Sequence, residues 1–167
     1  DAMERFGSDK PDTRFGMELQ EFSEFVQVSD FNAFKSVLDS DGIVKAIVCP
    51  NAGNYSRKVI DELTDYLKKY FGAKGLAWMK SNNGKLDGGI SKFFNSETQE
   101  NIISSLKVND DEIIFIVGDK PKVVFNALGA LRLELGKRES LIDESAWAPL
   151  WVVDFPLVDW NEDHNRW

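Results

Sequence analysis

Two short β-branched runs, each followed by a helix-spaced segment, constrain this chain more than any other feature. Ile43–Cys49 reads IVKAIVC and Ile113–Val117 reads IIFIV, a composition that fits largely buried strands. After the loop PNAGNY, Ser56 is placed to cap a helix reaching Phe71 and closed by Gly72. Val59, Ile60, Leu63, Tyr66, Leu67 and Tyr70 form its apolar face. The opposite face carries Arg57–Asp61, Lys58–Glu62 and Asp65–Lys69, i,i+4 pairs worth a few tenths of a kcal/mol each. Behind the second strand, Asp119 is the predicted cap, and Pro121 falls in the first turn, where a missing N–H costs little. That helix sets Val124, Leu128, Leu131 and Leu135 on one face and is expected to stop at Gly136. Strand–helix alternation with short connections gives a two-layer α/β sandwich.

Periodicity alone does not separate a parallel sheet from an antiparallel one. Residues 75–94 read as two strands, GLAWMK and ISKFF, joined by SNNGKLDGG. A hairpin there points to a mixed or antiparallel sheet with helices on one face, hence α+β. Asp30 is a good cap for a short helix over 31–38, with Phe31, Phe34 and Leu38 at helical spacing and Asp41-Gly42 as its breaker. Ser96 and Gln99 form a capping box for a helix ending near Leu106, and NDDE reads as a turn. The predicted core is Phe34, Leu38, Ile43, Ile47, Val59, Leu63, Leu67, Trp78, Ile103, Leu106, Ile114 and Ile116.

Both ends read as cut. DAMERF looks like the last turn of a helix closed by Gly7, and LWVVDFPLVDW reads as a buried strand. The expectation is a piece of a larger protein in which residues 1–20 and 140–167 pack on each other or on a neighbouring copy. Leu150, Trp151, Val153, Phe155 and Trp160 would then leave apolar surface exposed.

Composition excludes several classes. A length of 167 residues suits one domain, or one with attached pieces, and buries a core without staples. The single cysteine, Cys49, rules out an internal disulfide framework and fits a reducing, cytoplasmic setting. No apolar run approaches the ~18 residues of a membrane span, and DAMERFGSDK lacks a signal peptide's apolar core. The only histidine, His164, lies in an acidic tail and reads as solvated. Asp159, Asn161 and Asp163 match the first half of a calcium loop, but His164 stands where that loop needs glycine. CxxC, HExxH, GxxxxGK[ST] and GxGxxG are all missing. No catalytic, cofactor-binding or metal residue is assigned.

The sharpest charge feature is local. Tyr66–Lys92 holds Lys68, Lys69, Lys74, Lys80, Lys85 and Lys92 against one acid, Asp87, a charge of +5 within a chain of −8. Trp78, Phe93 and Phe94 lie in or beside it. RNA phosphates are met by accessible cations of this kind. The plainer alternative is a set of lysines solvating a helix end and a hairpin rim.

The flanks carry a family signal. Ala2–Asp12 reads AMERFGSDKPD, and Leu131–Leu157 reads LRLELGKRESLIDESAWAPLWVVDFPL. Together they resemble bacterial-type aspartyl-tRNA synthetases, in the class II catalytic domain between its second and third signature motifs. There the family carries an inserted domain called GAD, which a tRNA-dependent amidotransferase shares. The resemblance implies class II flanks at 1–22 and 119–167 around a GAD insert at 23–118. It implies a parent ligase, expected to be homodimeric and cytoplasmic, that uses ATP and Mg2+ to form aspartyl-adenylate from L-aspartate and transfers aspartate to the 3′ end of tRNA(Asp). The family's FRDE-like motif, its Gly-rich motif ending in Arg, its HHPFT stretch and its N-terminal anticodon module are not in this sequence. His164 in EDHNRW matches neither histidine of HHPFT. The chain alone is therefore expected to be inactive. A free RNA-binding or structural module, and the amidotransferase's own GAD domain, are the alternatives.

Overall fold

The computed structural model describes residues 1–156, 158, 164 and 166. Five strands are present among them: β1 (Gln20–Glu21), β2 (Ile43–Cys49), β3 (Ala77–Asn82), β4 (Lys85–Asp87) and β5 (Ile113–Asp119). They form one sheet in the order β1-β2-β5-β3-β4, with every neighbouring pair antiparallel. The helices are α1 (Ala2–Phe6), α2 (Ser23–Gln27), α3 (Asn32–Leu38), α4 (Arg57–Phe71), α5 (Ser96–Leu106) and α6 (Pro121–Arg138).

The α+β class and the antiparallel sheet agree with the sequence reading, but the helices cover both faces rather than one. In β2 and β5, Ile47, Cys49, Ile113, Phe115 and Val117 join one core with Ile60, Leu63 and Leu67 of α4 and Val124, Leu128, Leu131 and Leu135 of α6. The alternate residues Val44, Ala46, Ile114 and Ile116 join a second core with Met79, Val26 of α2 and Ile102 and Leu106 of α5. Phe34, Val37 and Leu38 of α3 pack at its edge. The two-layer expectation therefore becomes three layers. The reason is legible in β5: every one of its residues is buried, and a strand apolar on both sides needs cover on both sides.

Half of the predicted core is fully buried: Ile47, Leu63, Leu67, Leu106, Ile114 and Ile116. Phe34, Leu38, Ile43, Val59, Trp78 and Ile103 are half-buried residues packed around the two clusters. In α5 it is Ile102, one position before Ile103, that faces inward.

The 75–94 hairpin needs correction. Its second strand is Lys85–Asp87, reached through Asn83 and Gly84 at φ 49° and 70°, the left-handed pair of a tight hairpin turn. ISKFF is no strand but a 3₁₀ turn over Ser91–Phe93. Gly88 and Gly89, both at positive φ, fold the chain back so closely that a Cβ on Gly89 would strike the Trp78 carbonyl.

Three caps shift as well. Ser56 accepts from the Val59 amide as expected. Helix α5 instead starts from Asn95, whose Oδ1 accepts from the Thr98 amide at 2.8 Å. Gln99 donates to the Ser91 and Phe94 carbonyls. Phe31, not Asp30, occupies the cap of α3. Asp119 is the last residue of β5, with Lys120 at the cap of α6. That helix runs through Gly136 to Arg138.

Residues 150–156 form no strand. Trp151 is 93% exposed and Val153 72%. This tail runs beside α1 and the start of α6 rather than along a sheet edge, so its backbone has no ladder to join. Residues 1–20 and 140–156 do meet: Arg14 Nη1 reaches the Asp143 carbonyl at 3.5 Å and the Glu144 carboxylate at 3.6 Å. Trp160, Asp159, Asn161 and Asp163 lie outside the described residues. His164 is exposed in a turn.

Candidate functional site: the junction on helix α6

Helix α6 is buried on two sides. Val124, Leu128, Leu131 and Leu135 face the sheet. Gly129, Arg132 and Gly136, spaced i, i+3 and i+7, receive the chain from Phe6 to Met17. Gly7 closes α1 at φ 64°, a left-handed conformation that glycine adopts without strain. A Cβ on Gly7 would strike the Phe125 carbonyl, and one on Gly129 would come within 2.5 Å of the Gly7 carbonyl. At the other end, a Cβ on Gly136 would stand 2.8 Å from the Phe15 ring.

Between these contacts lies Arg132, 1% exposed. Its Nε donates to the Gly16 and Met17 carbonyls at 3.1 Å each. Its Nη2 donates to those of Asp12, Phe15 and Gly16 at 2.9, 2.8 and 2.7 Å. The guanidinium carbon sits 4.0 Å from the Phe15 ring centroid and 5.0 Å from that of Phe6. Burial pushes the Arg132 pKa down, and the nearby Asp12 and Glu18 carboxylates oppose that. A planar, weakly hydrated cation with five donors suits such a nest of carbonyls, and a lysine does not.

Ion pairs fasten the rim. Arg14 Nη2 meets the Asp12 carboxylate at 2.8 Å, and that hydrogen bonding holds the Asp12 carboxyl below the usual range. Arg5 grips Glu18 through two hydrogen bonds at 2.8 and 2.7 Å, which lowers Glu18 in the same way. Lys45, buried on β2, reaches the Glu4 carboxylate at 3.0 Å. The Leu19 amide donates to the Arg5 carbonyl at 2.8 Å. Helix α1 and the loop after it are thus tied to both α6 and the sheet. What stays outside is the turn Ser8–Pro11, with Asp9 and Lys10 exposed and the Ser8 hydroxyl accepting from the Lys10 amide at 3.0 Å.

The six lysines fall in separate places. Lys68 and Lys69 are exposed in the last turn of α4, where a helix C-terminus favours cations. Lys74 follows, 3.7 Å from Asp119. Lys80 is half-buried and donates to the Gly53 and Tyr55 carbonyls at 2.8 and 2.7 Å. Lys80 lies opposite Ile113, at the far end of β5 from Asp119, roughly 20 Å away along the strand. Lys85 is exposed on β4 and shares the sheet face of Lys80, since it pairs with Asn82. Lys92 is exposed 5.2 Å over the Phe93 ring, and Phe93 packs at the opposite core.

Residues 34–128 match the model of the GAD domain. The chain belongs to the GAD domain family. The likeness extends past that domain on both sides. An aspartate–tRNA ligase of Halalkalibacterium halodurans is 53% identical over 99% of this chain, which corresponds to 28% of the relative. An aspartate–tRNA(Asp/Asn) ligase of Hydrogenobaculum sp. is 51% identical over 99% of the chain and 27% of the relative. The corresponding Aquifex aeolicus protein is 46% identical with the same coverage. The chain thus spans little more than a quarter of the length of these relatives. Arg132 and the carbonyls it binds lie outside the matched GAD residues, since Asp12–Met17 precede them and Arg132 follows them.

Sequence reasoning missed this junction. Its signal is a charged residue at Arg132, set between two leucines and spaced with Gly129 and Gly136 along one helical stripe. An arginine there, flanked by glycines, marks close approach by another piece of backbone.

Proposed function

We propose that this chain is part of an aspartate–tRNA ligase and comprises its inserted GAD domain with the two flanks between which that domain is placed. The observation that carries this reading is coverage: relatives with that activity in their names match 99% of the chain, flanks included. A GAD domain without the catalytic flanks would match over the insert alone. The parent would couple ATP to L-aspartate as an aspartyl-adenylate and pass the aspartyl group to tRNA(Asp), as a cytoplasmic homodimer.

The residues here do not fit a site for Mg2+. Among the described residues, no three His, Cys, Asp or Glu side chains gather as metal ligands. The buried cation of the junction is committed to carbonyls. Flanks at 1–22 and 119–167 and an insert at 23–118 remain our division, with α6 serving both sides: one face completes the insert's core and the other holds the N-terminal flank. The scattered placement of Lys68, Lys69, Lys74, Lys80, Lys85 and Lys92 supports a solvated rim better than one RNA-binding face.

Aspartate-dependent ATP–pyrophosphate exchange tests the reading. The full-length protein is expected to catalyse it, and the 167-residue chain to show none. Exchange by the pure chain, or a full-length protein that activates another amino acid, would overturn it.

A further inference from the structure

The tip of the β3–β4 hairpin holds a reactive pair of residues. Asn83 and Gly84 are its two loop residues, exposed and left-handed at φ 49° and 70°. They are also the chain's single Asn-Gly sequence. An asparagine side-chain amide can be attacked by the next backbone nitrogen, closing a five-membered ring. Glycine in the next position favours this, because it brings no Cβ against the ring. Gly84 is open in that sense, since a Cβ built on it would meet no atom within 4 Å. The obstacle is the proton on the attacking nitrogen, which a backbone amide gives up reluctantly. A base placed at that one N–H therefore controls the rate.

The fold places a base there. The Gly84 N–H donates to Asp110 Oδ1 at 2.9 Å, inside the reach of about 2.6–3.2 Å that a general base requires. Asp110 belongs to the turn before β5, and that turn is fastened to the hairpin. The Ser81 N–H donates to the Glu112 carbonyl at 2.9 Å, and the Asp111 N–H donates to the Ser81 carbonyl at 3.1 Å. Within the turn, the Glu112 carboxylate accepts from the Asn109 amide at 2.7 Å and from Asn109 Nδ2 at 3.2 Å. The Asp110 carboxylate is thus held from outside the hairpin against the N–H whose proton must leave.

We infer that Asn83 is a site of spontaneous deamidation and that Asp110 is its general base. The Gly84 nitrogen passes its proton to Asp110 and bonds to Asn83 Cγ. The Cγ–Nδ2 bond then breaks, and ammonia leaves carrying the proton that Asp110 returns. Water opens the resulting succinimide at either carbonyl, giving aspartate or isoaspartate at position 83. No oxidant, reductant or further co-reactant is needed. Either product sets a new carboxylate beside Asp110, and like charges this close repel. Isoaspartate also lengthens the main chain inside a two-residue loop, and loop length fixes hairpin register. The pairing of Lys80 with Asp87 and of Asn82 with Lys85 should therefore loosen as the protein ages.

The test is peptide mapping of the folded full-length protein during incubation at neutral pH. Trypsin cuts after Lys80 and Lys85 and releases Ser81–Lys85, in which fragmentation separates Asn82 from Asn83 and chromatography separates aspartate from isoaspartate. Asn83 should convert well ahead of Asn82, its neighbour in the same peptide. Asp110→Asn leaves an oxygen to accept from the Gly84 N–H but removes the base, and should slow conversion by about tenfold or more. Asp110→Ala should slow it as well. Both variants change an exposed side chain. In urea that unfolds the chain, wild type and both variants should convert at one rate, since Asp110 then no longer meets Gly84. An Asn83 that converts no faster than Asn82 in the folded protein would overturn the inference. So would an Asp110→Asn protein as fast as wild type, or a faster Asp110→Ala protein, which would make Asp110 a clamp that protects the loop.

Discussion

The two buried faces of α6 are held by opposite means. Toward the sheet, Val124, Leu128, Leu131 and Leu135 present only hydrocarbon, and each is fully buried. Toward the N-terminal flank, Gly129 and Gly136 present no side chain and Arg132 presents a charge. Burial of the first face is non-directional, so hydrocarbon of the right volume can be exchanged there at modest cost. Burial of the second depends on direction. The Asp12, Phe15, Gly16 and Met17 carbonyls are partly or fully withdrawn from water, and they are held only while five hydrogen-bonding contacts keep their geometry. The helix thus joins a tolerant interface to an exacting one.

The largest expected difference comes from substituting one residue on each face. Arg132→Ala removes two ring contacts, leaves the buried Phe15 carbonyl unpaired and loosens three part-buried ones, and we expect it to cost about 3–5 kcal/mol in urea unfolding. Leu131→Met, its neighbour on the tolerant face, should cost less than about 1.5 kcal/mol. Equal losses would mean that the carbonyl nest behaves as ordinary packing.

A smaller effect distinguishes contact from open space. Gly129→Ala drives a methyl group against the Gly7 backbone, a clash that no flexible side chain can relieve. It should destabilise by about 1–3 kcal/mol. Gly75, where an added Cβ meets nothing within 4 Å, should accept alanine within about 0.5 kcal/mol. A neutral Gly129→Ala would show that α1 shifts freely along α6, which would remove one anchor of the turn Ser8–Pro11.

The sheet was far more legible in the sequence than the junction, for a physical reason. Strands and amphipathic helices announce themselves by the period of their own side chains, so β2, β5, α4 and α6 were found within a few residues. The error of covering only one face came from ignoring the length of the apolar run in β5, where no position is left for solvent. ISKFF misled because a β-branched and aromatic run outweighed the two glycines before it, which set the backbone. LWVVDFP misled similarly: its apolar alternation looks like a strand but supplies no partner edge. The junction has no period at all. It joins residues more than a hundred positions apart, and its recognition elements are backbone carbonyls, which every sequence contains. Only Gly129, Arg132 and Gly136 mark it, and they look like imperfections in a helix unless the partner is known.

The subtlest test of the comparison is electrostatic and concerns the rim of the exacting face. Asp12 accepts from Arg14 Nε and Nη2 and from the Arg14 amide. Side-chain hydrogen bonding to Arg14, followed by smaller contributions that include the Arg132 charge, lowers its pKa from 3.8. A carboxyl whose folded pKa is depressed contributes stability above its unfolded pKa and loses it as pH falls through the folded value. The contribution should therefore be complete at neutral pH and fade below about pH 4. Asp12→Asn separates this charge from local geometry, because an asparagine Oδ1 can still accept from the Arg14 amide and the Asp12 backbone carbonyl still faces Arg132. We expect the variant to be less stable than the wild type near pH 7, by less than Arg132→Ala, with the gap closing as both are titrated toward about pH 3. Glu18→Gln should show the same trend more weakly, since the Arg5–Glu18 pair is 48% and 42% exposed against 25% and 19% for Arg14–Asp12, and solvent screens exposed pairs. An Asp12→Asn gap that stays constant from neutral to acid pH would place the role of Asp12 in turn geometry alone, leaving Arg132, Arg5–Glu18 and Lys45–Glu4 as the charges that hold the flank.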